Sequence, residues 1–369
     1  MEEWDQDAYS SSTNPHGNLT IVNMAPIDIL HLIDPFWYRF PPMSFIWYGI
    51  LGFTIFCLGV LSIFGNVAVI LVFINTRSLR SPSNLLVVNL AFSDFLMMSN
   101  MCPPMVISCY YKTWILGELF CSWYGFTGSL FGCLSIWTMV WITLDRYNVI
   151  VKGVSSEPLS VKGACIRILF TWVFSIFWCS MPLLGWNRYV PEGNLTACGT
   201  DYLSSSRLSN SYIYTYSAFV YFIPLIITIY SYTYIVQAVA IHEREMREQA
   251  RKMGVKSLRN EEAQKTSAEF RLAKVALMTV SLWFIAWTPY LIINYTGIFN
   301  KEKLTPLFTI WGSLFAKANA VYNPIVYAIS HPKYKAALEK KLPLFMCKTH
   351  SEGEDVVSTK TSETITGKI

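Results

Sequence analysis

Residues 46–74 read IWYGILGFTIFCLGVLSIFGNVAVILVFI, an apolar run of 29 residues without a charged side chain. The hydrocarbon core of a bilayer is crossed by about 20 apolar residues in a helix, so this stretch predicts a membrane span. Six further runs have the same character. They are Ser83 to Ser108, interrupted by Asp94; Glu118 to Ile150; Cys165 to Gly185; Tyr212 to Ile241; Ala268 to Gly297; and Leu304 to Ser330, which contains Lys317. From Lys333 to Phe345, Tyr334, Ala337, Leu338, Leu342 and Phe345 recur at helical spacing, with Lys335, Glu339, Lys340 and Lys341 between them. That pattern predicts a helix lying on the membrane surface. The fold class expected is an all-α membrane protein, a seven-transmembrane helix bundle with a short amphipathic cytoplasmic helix. Its parts are an extracellular N-terminal tail over 1–45, the bundle over 46–330, the amphipathic segment over 331–346 and a polar, Ser/Thr-rich tail over 347–369 expected to be disordered.

Composition agrees. The 369 residues are 53% hydrophobic and 14% charged, whereas soluble chains are about 25% charged. A soluble enzyme, a disordered scaffold and a nucleic-acid binder are disfavoured. Lys and Arg divide unevenly between the two sets of loops. Arg39, Lys112, Arg188, Arg207, Lys301 and Lys303 lie on one side, and 22 of the 29 basic residues lie on the other. The basic side is cytoplasmic by the positive-inside rule, which puts the N-terminus outside and the C-terminus inside. The sequon at Asn18 then faces the glycosylated side. The acidic start, Met1 to Asp7, lacks the basic head and apolar core of a cleavable signal peptide. No internal repeat is visible, which weighs against a secondary transporter.

An ionisable group inside a span is a functional hypothesis. Lys317 sits mid-span, about two turns or more from either end, too deep to snorkel easily. A buried neutral amine suits imine formation with an aldehyde; a purely structural ion pair is the alternative. Asp94, with Asn66 and Asn323, can form a polar cluster that holds water or sodium, or simply glues helices together. Asp145-Arg146-Tyr147 closes the third span, either as solvated punctuation or as a two-state device in which Asp145 holds and then releases Arg146. Proline inside spans, at Pro224, Pro289 and Pro324, bends helices. Cys121, Tyr124, Gly125, Gly128 and Gly132 share one helical face. That face allows either close helix packing or the floor of a flat ligand site walled by aromatics such as Trp287 and Tyr290. Of nine cysteines, Cys57, Cys102, Cys109, Cys133, Cys165 and Cys179 read as unpaired packing. Cys347 is a palmitoylation candidate, and Cys121 and Cys198 on the outer face can form one disulfide.

Together these residues resemble the rhodopsin-type G-protein-coupled receptors, and more closely the rhabdomeric visual opsins of arthropods, with the long-wavelength opsins of crustaceans and insects looking closest. The resemblance spans about Leu30 to Phe345. It rests on Gly65-Asn66, Leu90-Ala91 with Asp94, Cys121 and Cys198, Asp145-Arg146-Tyr147, Trp172, Pro224, Trp287 with Pro289, and Asn323-Pro324 through Tyr327. Lys317, six residues before Asn323, matches the retinal-binding lysine. His331-Pro332-Lys333 and the linker around His242 to Arg259 resemble the Gq-coupled branch. The resemblance implies 11-cis retinal, or its 3-hydroxy form, joined to Lys317 as a protonated Schiff base. It implies a pocket of Tyr124, Gly125, Gly128, Gly132, Tyr202, Trp287, Tyr290 and Ser313, and an activation switch built from Asp94, Asp145, Arg146, Tyr147, Asn323, Pro324 and Tyr327. A buried cation needs a counter-charge. Tyr124 stands where vertebrate visual opsins carry glutamate, so Glu192, in the loop that the disulfide would hold as a lid, is the expected counterion. Met101 stands where ultraviolet insect opsins carry lysine, so a visible pigment is expected. Implied partners are a Gq-type G protein acting through phospholipase C, arrestin, a receptor kinase and membrane lipid, with phosphorylation on the Ser/Thr-rich tail. The implied location is the plasma membrane of rhabdomeric microvilli.

Three other readings compete. The first is a receptor for a diffusible ligand; an amine receptor would need an aspartate on span three, where this chain has Gly128. A retinal photoisomerase would use the same lysine, but Asp145-Arg146-Tyr147 and Asn323 to Tyr327 argue for signalling. The spans carry little polar lining for a transporter or channel.

Overall fold

The computed structural model describes residues 19–252 and 261–341. Seven long helices run up and down: α1 Phe45–Asn75, α2 Pro82–Tyr111, α3 Gly117–Tyr147, α4 Val161–Ser180, α5 Arg207–Lys252, α6 Glu261–Asn300 and α7 Pro306–Ser330. A short α8, Pro332–Lys341, follows. Six of these helices are long and apolar enough to cross a membrane by length and composition. The seventh, α7, carries Thr309, Ser313, Lys317, Asn319 and Asn323, all buried. Its polar groups face the bundle, where α1, α2 and α6 cover them. The central strut is α3, which packs against α2, α4, α5 and α6.

The helix ends follow ordinary capping chemistry. Ser81 and Thr305 accept from the backbone of Asn84 and Phe308, with proline at the next position in each case. Pro289 and Pro324 lie inside α6 and α7, as the sequence implies. Two differences appear. The irregularity in α5 is a turn of π-helix at Ala218–Phe222, just ahead of Pro224. In α2, the adjacent Pro103 and Pro104, not singled out from the sequence, lie inside a helix that runs on without interruption. Helix α5 begins earlier and ends later than Tyr212 to Ile241. Its 46 residues span about 69 Å at 1.5 Å per residue, more than twice the roughly 30 Å of hydrocarbon.

Over residues 19–44 the expected tail is folded. Three short 3-10 turns bury Ile21, Ile29, Phe36 and Trp37 against the bundle. The Ile21 amide donates to the Phe40 carbonyl across this segment at 2.9 Å, and Arg39 pairs with Glu302 in the short turn that follows α6. The loop after α4 is also ordered, as an antiparallel hairpin of β1 Tyr189–Glu192 and β2 Ala197–Thr200, with Pro191 opposite Cys198. All eight strand residues are buried, so the hairpin lies inside the mouth of the bundle. It is the sole strand structure among the described residues of an otherwise helical fold.

Helix α8 is expected to lie on the membrane surface over Lys333 to Phe345. Its described part docks Tyr334 and Leu338 onto the bundle, with Tyr334 stacked on Phe73 at 5.5 Å between ring centres. Leu342, Phe345, Asn18, Cys347 and the Ser/Thr-rich tail lie outside the described residues.

Candidate functional site

The site is built where α7, α6, α3 and the hairpin meet. Lys317 is 4% exposed. Its Nζ donates to the Ser313 hydroxyl at 2.6 Å and to the Ser313 carbonyl at 3.3 Å. These residues are one helical turn apart, so the contact is a property of the helix itself. The amine also lies 5.6 Å from the centre of the Tyr124 ring, a cation–π distance.

Glu192 reaches this group from the last position of β1. Its Oε2 accepts from the Ser313 hydroxyl at 3.4 Å and its Oε1 from the Tyr290 hydroxyl at 2.7 Å. Burial raises the Glu192 carboxyl above its ordinary range, while Lys317, Tyr290 and Ser313 pull it back. Gly199, on β2, leaves the room this requires: a Cβ there would stand 2.4 Å from both the Glu192 carboxyl and the Tyr290 hydroxyl. A disulfide between Cys121 of α3 and Cys198 of β2 ties the hairpin down, which clamps Glu192 over the lysine.

Beside the lysine is a cavity of about 350 Å³ bounded by Met97, Gly128, Glu192, Trp287 and Lys317. A second, of about 610 Å³, continues towards α5 and is bounded by Gly132, Tyr212, Val220, Tyr221 and Trp283. Ser129, Trp287 and Tyr290 line both. An elongated apolar molecule with one aldehyde end fits this arrangement, amine at one end and aromatic walls beyond. The small-residue face of α3 serves both roles considered for it. Gly125 and Gly128 line the first cavity and Gly132 the second. Their missing side chains also admit the Tyr189 ring, the Met101 methyl and the Trp287 indole, each within 2.6 Å of where a Cβ would be.

Tyr202 is buried but packs against Gly297 of α6 and is outside the lining of both cavities. Tyr189, Gly199 and Trp283 were not anticipated. Trp283 stacks on Trp287 one turn away, at 5.4 Å, a pair visible in retrospect from the i, i+4 spacing. The second sequon, at Asn194, is fully buried, and its side-chain oxygen accepts from Thr196; a glycan has no access there.

Two more clusters lie below. Asn323 donates to Asp94 at 2.7 Å and Ser135 approaches the other carboxylate oxygen at 3.4 Å. Asn66 does not join them: it donates to the backbone of α7 at Ala320 at 2.8 Å. At the end near α8, Arg146 binds Asp145 and Glu269, each at 2.5 Å, and Ser83 donates to Asp145 at 2.8 Å. Arg146 therefore ties α3 to α6. Glu269 carries no sequence signal, being one glutamate in a charged stretch. Tyr147 packs against Tyr230 and Tyr234 of α5, and Tyr327 against Phe73 and Tyr334.

Comparison with known proteins gives concordant results. The profile of the 7 transmembrane receptor (rhodopsin family) matches residues 65–327. A rhodopsin of Procambarus clarkii is 64% identical, over 95% of this chain and 93% of that protein. A rhodopsin of Camponotus atriceps is 63% identical over 96% and 94%. A long-wavelength rhodopsin of Apis mellifera is 62% identical over 95% and 93%. The crystal structure of squid rhodopsin superposes with a TM-score of 0.80 at 38% identity, covering 86% of this chain and 91% of that one.

Proposed function

We propose that this chain, which belongs to the rhodopsin family of seven-transmembrane receptors and within it to the arthropod visual opsins, is a visible-light receptor that carries 11-cis retinal on Lys317 and activates a Gq-type G protein. It is a receptor and not an enzyme, as its relatives are. The observation that carries the reading is the buried Lys317 amine in the wall of a cavity that Trp287 and Tyr290 also line, with a buried carboxylate one hydroxyl away. Condensation of that amine with an aldehyde releases one water and leaves the nitrogen joined to the ligand. Bound retinal supplies the absorption band and a light-driven change from 11-cis to all-trans shape.

The protein's part is to hold charge and to move. Glu192 supplies the negative charge that keeps a proton on the Lys317 nitrogen, oriented by Ser313 and Tyr290. A carboxylate held at this remove leaves the positive charge less localised, which favours longer wavelengths; Met101 leaves the pocket without a second lysine. Trp287, wedged into the space at Gly132 and stacked on Trp283, is the side chain that a changed ligand shape displaces. It sits two residues before Pro289, inside α6, where proline removes a backbone hydrogen bond and lets the helix bend. Swinging α6 breaks the bond between Arg146 and Glu269 and opens the end near α8. Light shifts this equilibrium because the two ligand shapes contact the two states differently.

In this reading the N-terminal face is extracellular, with a glycan on Asn18, and the end near α8 is cytoplasmic. The long α5 and α6 meet the G protein, which drives phospholipase C, and the phosphorylated tail recruits arrestin after a receptor kinase acts. Cys347 carries palmitate and anchors the chain beyond α8. The cell surface is that of rhabdomeric microvilli, and 3-hydroxyretinal is the alternative chromophore. The test is reconstitution of purified protein with 11-cis retinal. A visible band that Lys317→Ala abolishes, and light-dependent nucleotide exchange on purified Gq, are expected. A pigment without light-dependent exchange would refute the receptor assignment, and a band surviving Lys317→Ala would refute the site.

A further inference from the structure

Ser313 stands between the two charged groups of the site. Its hydroxyl has one proton to give and lone pairs to accept with, and both functions are used in one direction. The oxygen accepts from Lys317 Nζ at 2.6 Å and the proton points to Glu192 Oε2 at 3.4 Å. Ser313 is 3% exposed, so water does not compete freely for either role. The other walls offer the nitrogen less. On α2, Met97 and Met101 border the cavity with thioethers, which are weak acceptors. Tyr124 on α3 meets the amine with its ring face, and its own hydroxyl has no partner. Tyr290 on α6 spends its proton on Glu192 Oε1. The titratable groups facing the site are thus Glu192 from the hairpin, Tyr124 from α3, Tyr290 from α6 and Lys317 itself, with Tyr202 outside the cavity lining but near enough to Glu192 to feel its charge. The tyrosines are neutral near pH 7, which leaves one positive and one negative group to balance.

We propose that Ser313 is the positioning residue that couples Glu192 to the Lys317 nitrogen, so that the counter-charge acts through a hydroxyl and not by direct contact. The proposal rests on the assignment of Lys317 and Glu192 made above. It makes the carboxylate a group held by two hydroxyls, one from α7 and one from α6. The proton affinity of the nitrogen then depends on both bonds.

The experiment is an absorption titration of the retinal-loaded protein, comparing the parent, Ser313→Ala, Ser313→Thr, Glu192→Gln and the double variant Ser313→Ala/Glu192→Gln. Loss of the visible band with rising pH reports loss of the proton. Ser313→Ala should lower the midpoint by about one pH unit, about tenfold in the protonation constant. Ser313→Thr should restore it, because the hydroxyl is retained. In the Glu192→Gln background, Ser313→Ala should add nothing further. A second readout uses the protein before loading: the pH dependence of retinal uptake should move to lower pH in Ser313→Ala and return in Ser313→Thr. If Glu192→Gln lowers the midpoint and Ser313→Ala leaves it unchanged, the inference is wrong and the counterion assignment stands. If the two single shifts add in full in the double variant, the hydroxyl acts independently of Glu192 and the inference is again wrong. If Glu192→Gln leaves the midpoint unchanged, the counterion assignment itself fails, and the coupling through Ser313 falls with it.

Discussion

Glu269 offers the sharpest test of how the resting state is held. Its carboxylate accepts from Arg146 Nη1 at 2.5 Å, and the Arg146 side chain is 8% exposed against 30% for Glu269. A hydrogen bond between charged groups in such a partly buried place contributes about 1.5–3 kcal/mol. Arg146 keeps Asp145 when Glu269 is removed, so Glu269→Ala loses the tie between α3 and α6 without orphaning the arginine. The ratio of closed to open receptor should then fall about 10- to 100-fold, since each 1.4 kcal/mol is a factor of ten. Glu269→Gln keeps a neutral hydrogen bond and should fall between Glu269→Ala and the parent. The assay is nucleotide exchange on purified Gq in the dark, with the light-driven rate as the ceiling. Dark exchange within about twofold of the parent in both variants, with the light response intact, would refute the view that this pair biases the equilibrium.

Other expectations follow from the same geometry. Gly199→Ala puts a methyl 2.4 Å from the Glu192 carboxyl and the Tyr290 hydroxyl; it should shift the absorption maximum and cost about 1–3 kcal/mol of stability, read by spectrum and thermal melt. Cys198→Ser opens a link spanning 77 residues and should cost about 2–4 kcal/mol, with faster loss of pigment on warming. Before retinal is bound, burial favours the neutral form of Glu192 in the folded protein. Its contribution to stability is therefore greatest at acid pH and fades as pH rises through its raised value. Thermal melts of the unloaded protein should show a slope of that sign, and Glu192→Gln should flatten it.

Much of the site was legible in one dimension because helices make neighbours of residues a turn apart. Ser313 and Lys317, the α3 face from Cys121 to Gly132, and Trp287 beside Pro289 are all matters of spacing. Glu192 was not readable this way; an exposed loop glutamate and a buried one look alike, and family resemblance alone singled it out. The hairpin that buries it was not anticipated either, since eight residues of mixed character carry no clear alternation. Glu269 and Asn66 were missed or misassigned for a related reason. Their partners, Arg146 and the Ala320 carbonyl, lie 123 and 254 residues away along the chain, and only packing brings them together.

The order of residues is enough to show that this chain crosses a membrane, about where it does so and which lysine is out of place. A helix that crosses lipid makes its backbone hydrogen bonds internally and needs a long apolar run, and a charge within one cannot hide. What answers that charge is set by packing between distant segments. Whether a carboxylate, a hydroxyl or an aromatic face meets Lys317 depends on how the hairpin is pinned and how closely Glu192 and Tyr290 of α6 approach Gly199.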